Sequence, residues 1–259
     1  MKEDLLITPV QCELVWENPQ ANLERLTKLL NTITGRTAVI VLPELFTTGF
    51  SMRAADLAEP MEGPGMQWMR NQAAGRQAVV CGSLMIAEQD RYYNRLIWME
   101  PSGSYRWYDK RHLFRMGSED QYYTAGRQRL TVTWQQWRLR LAICYDLRFP
   151  VWNRNDDDYD VLIFVANWPQ RRIAAWNALL AARAIENQCF VVGVNRVGYD
   201  GNEVYHNGSS CVIDPEGTIV WQCTDREEMP TIPLSAQRLQ QVRQMLPFLQ
   251  DRDRFELMP

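Results

Sequence analysis

The sequence predicts a mixed α/β fold of the α+β type, in which β-sheets are covered by helices. Continuously apolar segments such as 38–42 and 161–166 are typical of strands buried on both faces. Segments with helical apolar spacing alternate with them, and turn-forming residues join further strands into hairpins. No Gly/Ser-rich linker divides the 259 residues. We therefore expect a single domain over 1–259, ending in a C-terminal helix and tail over 233–259.

The first helix has the clearest boundary signal among the expected helices. Asn18 is a favoured N-cap residue, and Pro19 suits the first helical turn. The apolar stripe of this helix consists of Leu23, Leu26, Leu30 and Ile33. Further helices are expected over 66–74 and 171–186, and Ser235 could cap a last helix that carries Leu239, Val242 and Leu246. The expected strands, in chain order, are 5–11, 38–42, 78–86, 94–100, 104–108, 137–143, 161–166, 190–194, 210–213 and 218–222.

The composition limits the classes of partner. Hydrophobic residues make up 46% of the chain, and the formal net charge is −3. No block of basic residues indicates a nucleic-acid partner, and no apolar segment approaches the ~18 residues of a membrane span. The acidic start of the chain lacks the layout of a signal peptide. We expect a cytoplasmic protein that binds neither nucleic acid nor a membrane.

The cysteines and histidines argue against disulfides and metals. None of the six cysteines forms a Cys-x-x-Cys pair, which favours free thiols in a reducing compartment. The two histidines, His112 and His206, lack the spacing of metal ligands. We expect no metal and no cofactor.

Three reactive side chains follow predicted strands. Glu44 follows an apolar strand, Lys110 follows a hairpin strand, and Cys144 ends the strand over 137–143. Strand ends in layered α/β folds converge on one crevice. A thiolate that attacks an amide needs a base for the thiol proton and a cation for the developing oxyanion. The three residue types supply these functions.

Each of these residues also has a simpler interpretation. A cysteine at a strand end is most often a small buried apolar residue, a lone glutamate is commonly a cap or surface charge, and a lone lysine is usually solvated. A Cys/His pair with His112 or His206 also stays possible, although nothing around either histidine favours it.

The order of three motifs resembles the nitrilase superfamily of carbon–nitrogen hydrolases over nearly the whole chain. The motifs cover 42–46, 108–114 and 143–150, and their reactive residues stand 66 and then 34 positions apart. Supporting similarity covers 167–169, 182–188 and 193–198. The resemblance implies a four-layer α-β-β-α sandwich that pairs into a homodimer through the helical layers near the nucleophile.

The resemblance also assigns roles. It implies that Cys144 is the nucleophile, Glu44 the general base and then acid, and Lys110 the oxyanion stabiliser. The backbone N–H of Tyr145 would be a second oxyanion donor. Glu119 matches a further family glutamate that orients Glu44 and Lys110, although it could instead be an ordinary loop carboxylate.

The residues after Cys144 are similar to the omega-amidase branch of the superfamily. This branch implies hydrolysis of a small amide substrate, 2-oxoglutaramate, to 2-oxoglutarate and ammonia, and a link to methionine salvage. Candidates for binding the substrate are Arg171, Arg172, Arg115 and Trp168. A guanidinium can grip a carboxylate with two parallel hydrogen bonds. Arg148 is instead expected to pair with a neighbouring carboxylate as a structural residue.

Other functions stay open at this stage. The same chemistry would serve a carbamoylase, a nitrilase or an amidase of another short amide. A non-catalytic binding module is a further alternative, although such a module has no need for all three reactive residues. A thiol-redox protein fits less well, because no second cysteine lies near Cys144 in the sequence.

Overall fold

A computed structural model describes residues 2–257 of the chain. The helices are α1 (Pro19–Leu30), α2 (Ala54–Leu57), α3 (Pro64–Arg76), α4 (Glu119–Tyr122), α5 (Ile173–Asn187) and α6 (Ala236–Met245). The strands are β1 (Leu5–Pro9), β2 (Val39–Val41), β3 (Val79–Glu88), β4 (Arg91–Met99), β5 (Tyr105–Asp109), β6 (Leu130–Trp134), β7 (Trp137–Ile143), β8 (Val161–Ala166), β9 (Phe190–Asn195), β10 (Val197–Tyr199), β11 (Tyr205–Ile213), β12 (Ile219–Thr224) and β13 (Ile232–Leu234). Short 3₁₀ helices lie at Arg115–Gly117, Cys144–Arg148, Gln170–Arg172 and Phe248–Asp251.

The strands form two mixed sheets. The first has the order β13-β1-β2-β3-β4-β5, with β1, β2 and β3 parallel to one another. The second has the order β10-β11-β9-β8-β7-β6, with β12 also paired to β11, and here β7, β8 and β9 are parallel. Both sheets therefore have a parallel centre, which places the carboxyl ends of β2 and β7 at positions suited to a site.

The apolar core fills the three spaces between the four layers of secondary structure: one between the two sheets, and one between each sheet and its helices. Val39 and Val41 of β2 face the second sheet, whereas Ile40 packs toward α1 and α3. In β8 the same alternation turns Ile163 inward and Phe164 toward α5. These strands are apolar on both faces because each face is covered. The predicted four-layer α-β-β-α sandwich is confirmed.

Most expected elements are present, with three kinds of difference. The strands β6, β10 and β13 were not expected; all three are short, and β13 contains Pro233 at the edge of its sheet. The strand at 210–213 begins earlier, at Tyr205. Ile33 lies beyond the end of α1 but still packs in one apolar cluster with Leu26 and Leu30. Leu246 lies beyond α6 with 62% of its surface exposed, so it does not complete the predicted apolar stripe of that helix.

Within residues 2–257, no helix combines the length and the apolar character that crossing a membrane requires.

Candidate active site

The reactive residues lie just beyond the ends of strands, two of which are inner strands and one of which, β5, is an edge strand. Glu44 follows β2, Lys110 follows β5 and Cys144 follows β7, while Glu119 begins α4. The side chains of Glu44, Lys110 and Glu119 are all fully buried. A buried charged group is costly unless it is paired, so these three groups are stable only as a cluster.

The three buried charges contact one another directly. Lys110 Nζ lies 2.9 Å from Glu44 Oε1 and 2.9 Å from each carboxylate oxygen of Glu119. Asn94 Nδ2 donates to Glu44 Oε1 at 2.8 Å and to Glu119 Oε1 at 3.3 Å. The structure thus brings together Glu44, Lys110 and Glu119 as predicted, and adds Asn94.

The hydrogen bonds distinguish the two carboxylates. Glu119 accepts the bonds described above and one from the backbone N–H of Phe114 to Oε2 at 2.6 Å, so each of its oxygens has two donors. In Glu44, Oε1 also has two donors, but Oε2 accepts only the backbone N–H of Asn167 at 2.8 Å. A carboxylate has about four lone-pair sites, so Glu44 Oε2 keeps one free acceptor site among the described residues.

Burial and charge act on the pKa values of this cluster in opposite directions. Burial would lower the pKa of Lys110, but the carboxylates of Glu119 and Glu44 outweigh it and raise this pKa well above its usual range. Burial, together with the charge of Glu44, raises the pKa of Glu119, and Lys110 opposes that shift. The lysine is therefore a permanent cation at neutral pH.

Cys144 sits at a sharp turn between β7 and a 3₁₀ helix. Its backbone has φ +43°, a left-handed conformation that is uncommon for a residue with a side chain. Cys144 is half-buried, whereas the other five cysteines are buried. Burial and the charge of Glu44 raise the pKa of the Cys144 thiol well above its usual range, and Lys110 opposes this effect. The resting sulfur is therefore a thiol that needs a nearby base.

Asp146 fixes the turn that carries Cys144. Its Oδ2 accepts a hydrogen bond from the Tyr108 hydroxyl at 2.7 Å and from the Ile143 N–H at 3.0 Å, and its Oδ1 accepts from the His112 N–H at 3.0 Å. The His112 ring stacks on Phe149 with 3.6 Å between centroids. His112 thus supports the turn through Asp146, and the structure gives no sign of a Cys/His pair with it.

Cys144 lines a cavity of about 450 Å³. Its aromatic lining consists of Phe50, Phe114, Tyr145, Trp168 and Trp16. The N–H of Tyr145 lies at the start of a 3₁₀ helix, where backbone donors have no partner within the helix. A small amide of drug-fragment size fits such a volume.

One side of the cavity is strongly cationic. Arg148, Arg171 and Arg172 line it, and among residues 2–257 no carboxylate lies within 4.0 Å of their guanidinium groups. The Cζ of Arg148 lies 4.9 Å from the Trp168 ring, and that of Arg172 lies 4.9 Å from the Phe114 ring. The prediction that Arg148 pairs with a neighbouring carboxylate is thus wrong, because its guanidinium lies over the Trp168 ring instead.

Arg115 does not belong to this cationic side. Its side chain is 86% exposed, and its Nε lies 3.6 Å from Asp120 rather than at the cavity. The short helix that begins at Arg115 turns Phe114, Met116 and Gly117 toward the cavity and directs the arginine into solvent. The structure therefore places the candidates Arg171, Arg172 and Trp168 at the cavity and leaves Arg115 outside it.

Comparison with known proteins decides the family. The family model for carbon–nitrogen hydrolases matches residues 6–244. The chain belongs to the carbon–nitrogen hydrolase family. This carbon–nitrogen hydrolase is 46% identical to Omega-amidase YafV of Escherichia coli K12 over 255 residues, which cover 98% of each chain. It is 30% identical to 2-oxoglutaramate amidase of Bacillus subtilis over 250 residues, covering 95% of this chain and 96% of that protein.

A solved structure is also similar to this carbon–nitrogen hydrolase. The protein XC1258 from Xanthomonas campestris, a CN-hydrolase superfamily protein with an arsenic adduct in its active site, matches with a TM-score of 0.96. It is 45% identical, and the match covers 98% of this chain and 99% of that one. The chain is an enzyme that hydrolyses carbon–nitrogen bonds.

The described part of this carbon–nitrogen hydrolase offers no cluster of metal ligands. No group of three His, Cys, Asp or Glu side chains among residues 2–257 is arranged to hold a metal ion.

Sequence reasoning missed Asn94, Asp146 and Asn167 in this carbon–nitrogen hydrolase. Asn167 donates from its backbone to Glu44 Oε2 and from its side chain to the Glu44 carbonyl at 2.6 Å. Asn94 is the first residue of a predicted hairpin strand and is followed by Arg95, so the sequence gives no signal that its side chain is buried.

Proposed function

We propose that this enzyme hydrolyses the terminal amide of a small dicarboxylic acid monoamide, with 2-oxoglutaramate as the preferred substrate. The observation that carries the proposal is the cationic side of the cavity beside Cys144, where Arg148, Arg171 and Arg172 have no carboxylate partner among residues 2–257. A guanidinium at such a place binds the free carboxylate of a substrate. The substrate amide would then reach Cys144 at the floor of the cavity.

The names of the relatives support this choice of substrate. One relative that is similar over its full length is called an omega-amidase, and another a 2-oxoglutaramate amidase. Both names describe the removal of the distal amide from a compound that also carries a carboxylate. The paired features of the cavity, a thiol and a cationic wall, match the two ends of such a molecule.

In the first half of the proposed reaction, Glu44 acts as base and then as acid. Glu44 Oε2, which keeps a free acceptor site, takes the proton of the Cys144 thiol as the sulfur attacks the amide carbon. Lys110 and the Tyr145 N–H stabilise the oxyanion. The carbon–nitrogen bond then breaks, Glu44 returns the proton to the leaving nitrogen, and ammonia departs from an acyl-thioester.

In the second half, Glu44 takes a proton from water as the water oxygen attacks the thioester carbon. The carbon–sulfur bond breaks, the carboxylic acid product leaves, and the proton passes from Glu44 back to the sulfur. Glu119 takes no proton in this scheme, because both its oxygens are already saturated with donors. Its role is to hold Lys110 as a cation and in place.

The oxyanion role requires a free hydrogen on Lys110. Its ammonium carries three hydrogens and faces three carboxylate oxygens. We propose that one N–H is shared between both oxygens of Glu119 when the substrate is bound, which releases the third hydrogen to the oxyanion.

Ammonia release from a panel of substrates tests the proposed function. We expect the highest kcat/KM with 2-oxoglutaramate, lower values with glutamine and asparagine, and little turnover of a simple nitrile. A preference for an N-carbamoyl compound or a nitrile would instead identify a carbamoylase or a nitrilase. No turnover of any member of the panel would refute the proposal.

The arginine assignment has a matched control. Arg172→Ala should raise KM for 2-oxoglutaramate about tenfold or more, because a charged hydrogen bond contributes ~1.5–3 kcal/mol. Arg115→Ala removes the same side chain outside the cavity and should leave KM unchanged. An equal effect of both variants would contradict carboxylate binding by the cationic wall.

We also propose that the enzyme is a cytoplasmic homodimer. The carboxyl ends of α5 and α6 lie together, since Gln188 Nε2 donates to the Leu246 carbonyl at 2.6 Å. Around them Ile185, Met245 and Leu246 are 48%, 77% and 62% exposed, and we call these three residues the α5–α6 patch. Large apolar side chains exposed together are typical of an interface. The link to methionine salvage stays a prediction of the resemblance.

A further inference from the structure

We propose that Asn94 is a positioning residue for the reaction, which holds the carboxylates of Glu44 and Glu119 in one arrangement around Lys110. This inference rests on the proposed function, because it assigns Glu44 the role of base. Asn94 itself touches neither the substrate nor the sulfur in this scheme. It acts through the base.

The strand register places Asn94 beside the lysine. Arg95 of β4 lies opposite Asp109 of β5, so the next pair is Asn94 and Lys110, and the Lys110 N–H donates to the Asn94 carbonyl at 3.0 Å. Residues directly opposite each other project from the same face of a sheet. The amide and the ammonium therefore enter the buried cluster side by side.

The amide and the ammonium share the same two acceptors. Glu44 Oε1 lies 2.8 Å from Asn94 Nδ2 and 2.9 Å from Lys110 Nζ. Glu119 Oε1 lies 3.3 Å and 2.9 Å from the same two donors. Two donors and two acceptors thus alternate around a closed ring, and the two hydrogens of the amide nitrogen match its two acceptors.

The orientation of the amide is fixed by the charges that it faces. Asn94 is fully buried, and its Oδ1 has no hydrogen-bond donor among residues 2–257. Rotating the amide to find a donor for Oδ1 would bring that oxygen against two carboxylate oxygens. An unpaired buried acceptor is unfavourable. The amide nevertheless keeps this orientation, because the hydrogen bonds from Nδ2 to the two carboxylates are stronger than the one that Oδ1 lacks.

The ring also decides which oxygen of Glu44 remains free. Lys110 and Asn94 saturate Oε1, so the free acceptor site lies on Oε2. Oε2 accepts one hydrogen bond, from the Asn167 N–H. Without Asn94, Oε1 would regain an acceptor site, and the base could rotate or take its proton on the wrong oxygen. The amide therefore selects the proton-accepting oxygen.

Loss of Asn94 should change the pH dependence of the reaction. Titratable groups surround the Asn94 amide from several elements. They are Glu44 after β2, Lys110 after β5, Glu119 at the start of α4, Tyr123 directly after α4, and Cys144 after β7. A donor to a carboxylate favours its ionised form. Removing this donor should therefore move the acid limb of the pH profile upward.

The test compares Asn94→Ala with Asn155→Ala. Asn155 is also fully buried and bridges Tyr159 and Asn187 outside the site, so its variant reports the loss of any buried asparagine. Two profiles against pH are measured: kcat/KM for amide hydrolysis, and the rate of Cys144 alkylation by iodoacetamide. The second profile needs no substrate, so it stays informative if the proposed function fails.

For Asn94→Ala we expect the acid limb of both profiles to move upward by about one pH unit, which is a tenfold loss at a fixed acidic pH. Asn155→Ala should lower thermal stability and leave both limbs where the parent enzyme has them. If Asn94→Ala does not fold, Asn94→Ser keeps one donor and should give a smaller shift of the same sign. Unmoved acid limbs in a folded Asn94 variant, or an equal shift in Asn155→Ala, would overturn the inference.

Discussion

The thiol of Cys144 is the residue on which the proposed covalent mechanism depends. The left-handed backbone at Cys144 turns the chain between β7 and its 3₁₀ helix, and this conformation depends on the Asp146 hydrogen bonds rather than on the thiol. A substitution at this position therefore separates chemistry from folding.

We predict that Cys144→Ala abolishes turnover without unfolding the protein, because replacing a thiol by a methyl group removes little packing. Intact-mass spectrometry of quenched wild-type enzyme should show the acyl adduct, and hydroxylamine should convert it to a hydroxamate. Wild-type activity in the alanine variant, or ammonia release with neither adduct nor hydroxamate, would show that sulfur is not the nucleophile.

Lys110 should contribute to both catalysis and stability. Lys110→Ala leaves Glu44 and Glu119 buried without their cation, which typically destabilises a protein by ~3–5 kcal/mol, and losing an oxyanion donor lowers kcat by ~100- to 1000-fold. Lys110→Arg should also be badly impaired, since a planar guanidinium differs in shape from an ammonium. Urea unfolding and kcat measure the two effects.

The control for this prediction is Lys28→Ala, which removes an exposed lysine from α1 and should change neither quantity. Less than a tenfold fall in kcat for folded Lys110→Ala would mean that the ammonium does not act on the reacting atoms.

His206 links stability to mild acid. Burial, reinforced by Arg196, lowers the pKa of this histidine from 6.5 to about 4. Between pH 6.5 and pH 4, His206 binds a proton in the unfolded chain but not in the folded chain. The stability of the folded protein therefore falls as the pH drops through this range. We expect the contribution of His206 to decrease by about 2 kcal/mol between pH 7 and pH 5.

Urea unfolding of the wild type and of His206→Gln at both pH values measures this contribution as the difference between their slopes with pH. The same loss in both proteins would assign the acid sensitivity to other groups.

At the scale of elements, α6 illustrates how a sequence signal becomes a structural contact. Ser235 Oγ accepts a hydrogen bond from the Arg238 N–H at 3.3 Å. The helix then buries Leu239 in the core between the two sheets, and Val242 is buried as well. Ser235→Ala should lower the free energy of unfolding by ~0.5–1 kcal/mol, whereas Ser235→Asp should retain the cap.

Gln240→Ala, on an exposed position of α6, serves as the control in the same urea experiment and should be neutral or slightly stabilising. An unchanged free energy in Ser235→Ala would show that this end of α6 is held by packing alone.

The elements that could be predicted are those that show a clear signal within their own segment of sequence, such as a run of apolar residues or a capping residue. β8 reads as apolar throughout because helices and the other sheet cover both its faces, and α1 has an explicit cap at Asn18. β13 has three residues and pairs with β1, which lies far away in the sequence, so no local pattern marks it. β10 also has three residues and pairs with the start of β11 across a short turn, but it is too short to show a pattern of its own.

The same distinction applies to the site. The resemblance located Glu44, Lys110 and Cys144 because ordered motifs carry them, and it located Glu119 by its place between the lysine and the cysteine. Asn94 was missed because its importance depends on the β4–β5 register. Arg115 was included because it lies just after a motif segment, but its neighbour Phe114, rather than the arginine itself, turns toward the cavity. Side-chain direction in a loop is not encoded by proximity to a motif.

For the whole molecule, the α5–α6 patch should decide the oligomeric state. We predict that light scattering gives the mass of a dimer for the wild type and of a monomer for Ile185→Arg, since a charge at an apolar interface is strongly unfavourable. Met116→Arg places the same charge at an exposed methionine beside the cavity and should remain dimeric. A monomeric wild type would remove the dimer proposal.

The pairing of β13 with β1 has a consequence for biosynthesis. Leu5 lies opposite Leu234, and Asp4 accepts a hydrogen bond from the Ala236 N–H at 2.8 Å. During synthesis β1 therefore receives its outer neighbour only after more than two hundred further residues are made. Until then the nascent chain presents a bare strand edge, the kind of surface that promotes association between unfinished chains. Closing such a distant contact is slow. The first sheet is completed last, and protection of the growing chain during synthesis matters most for β1.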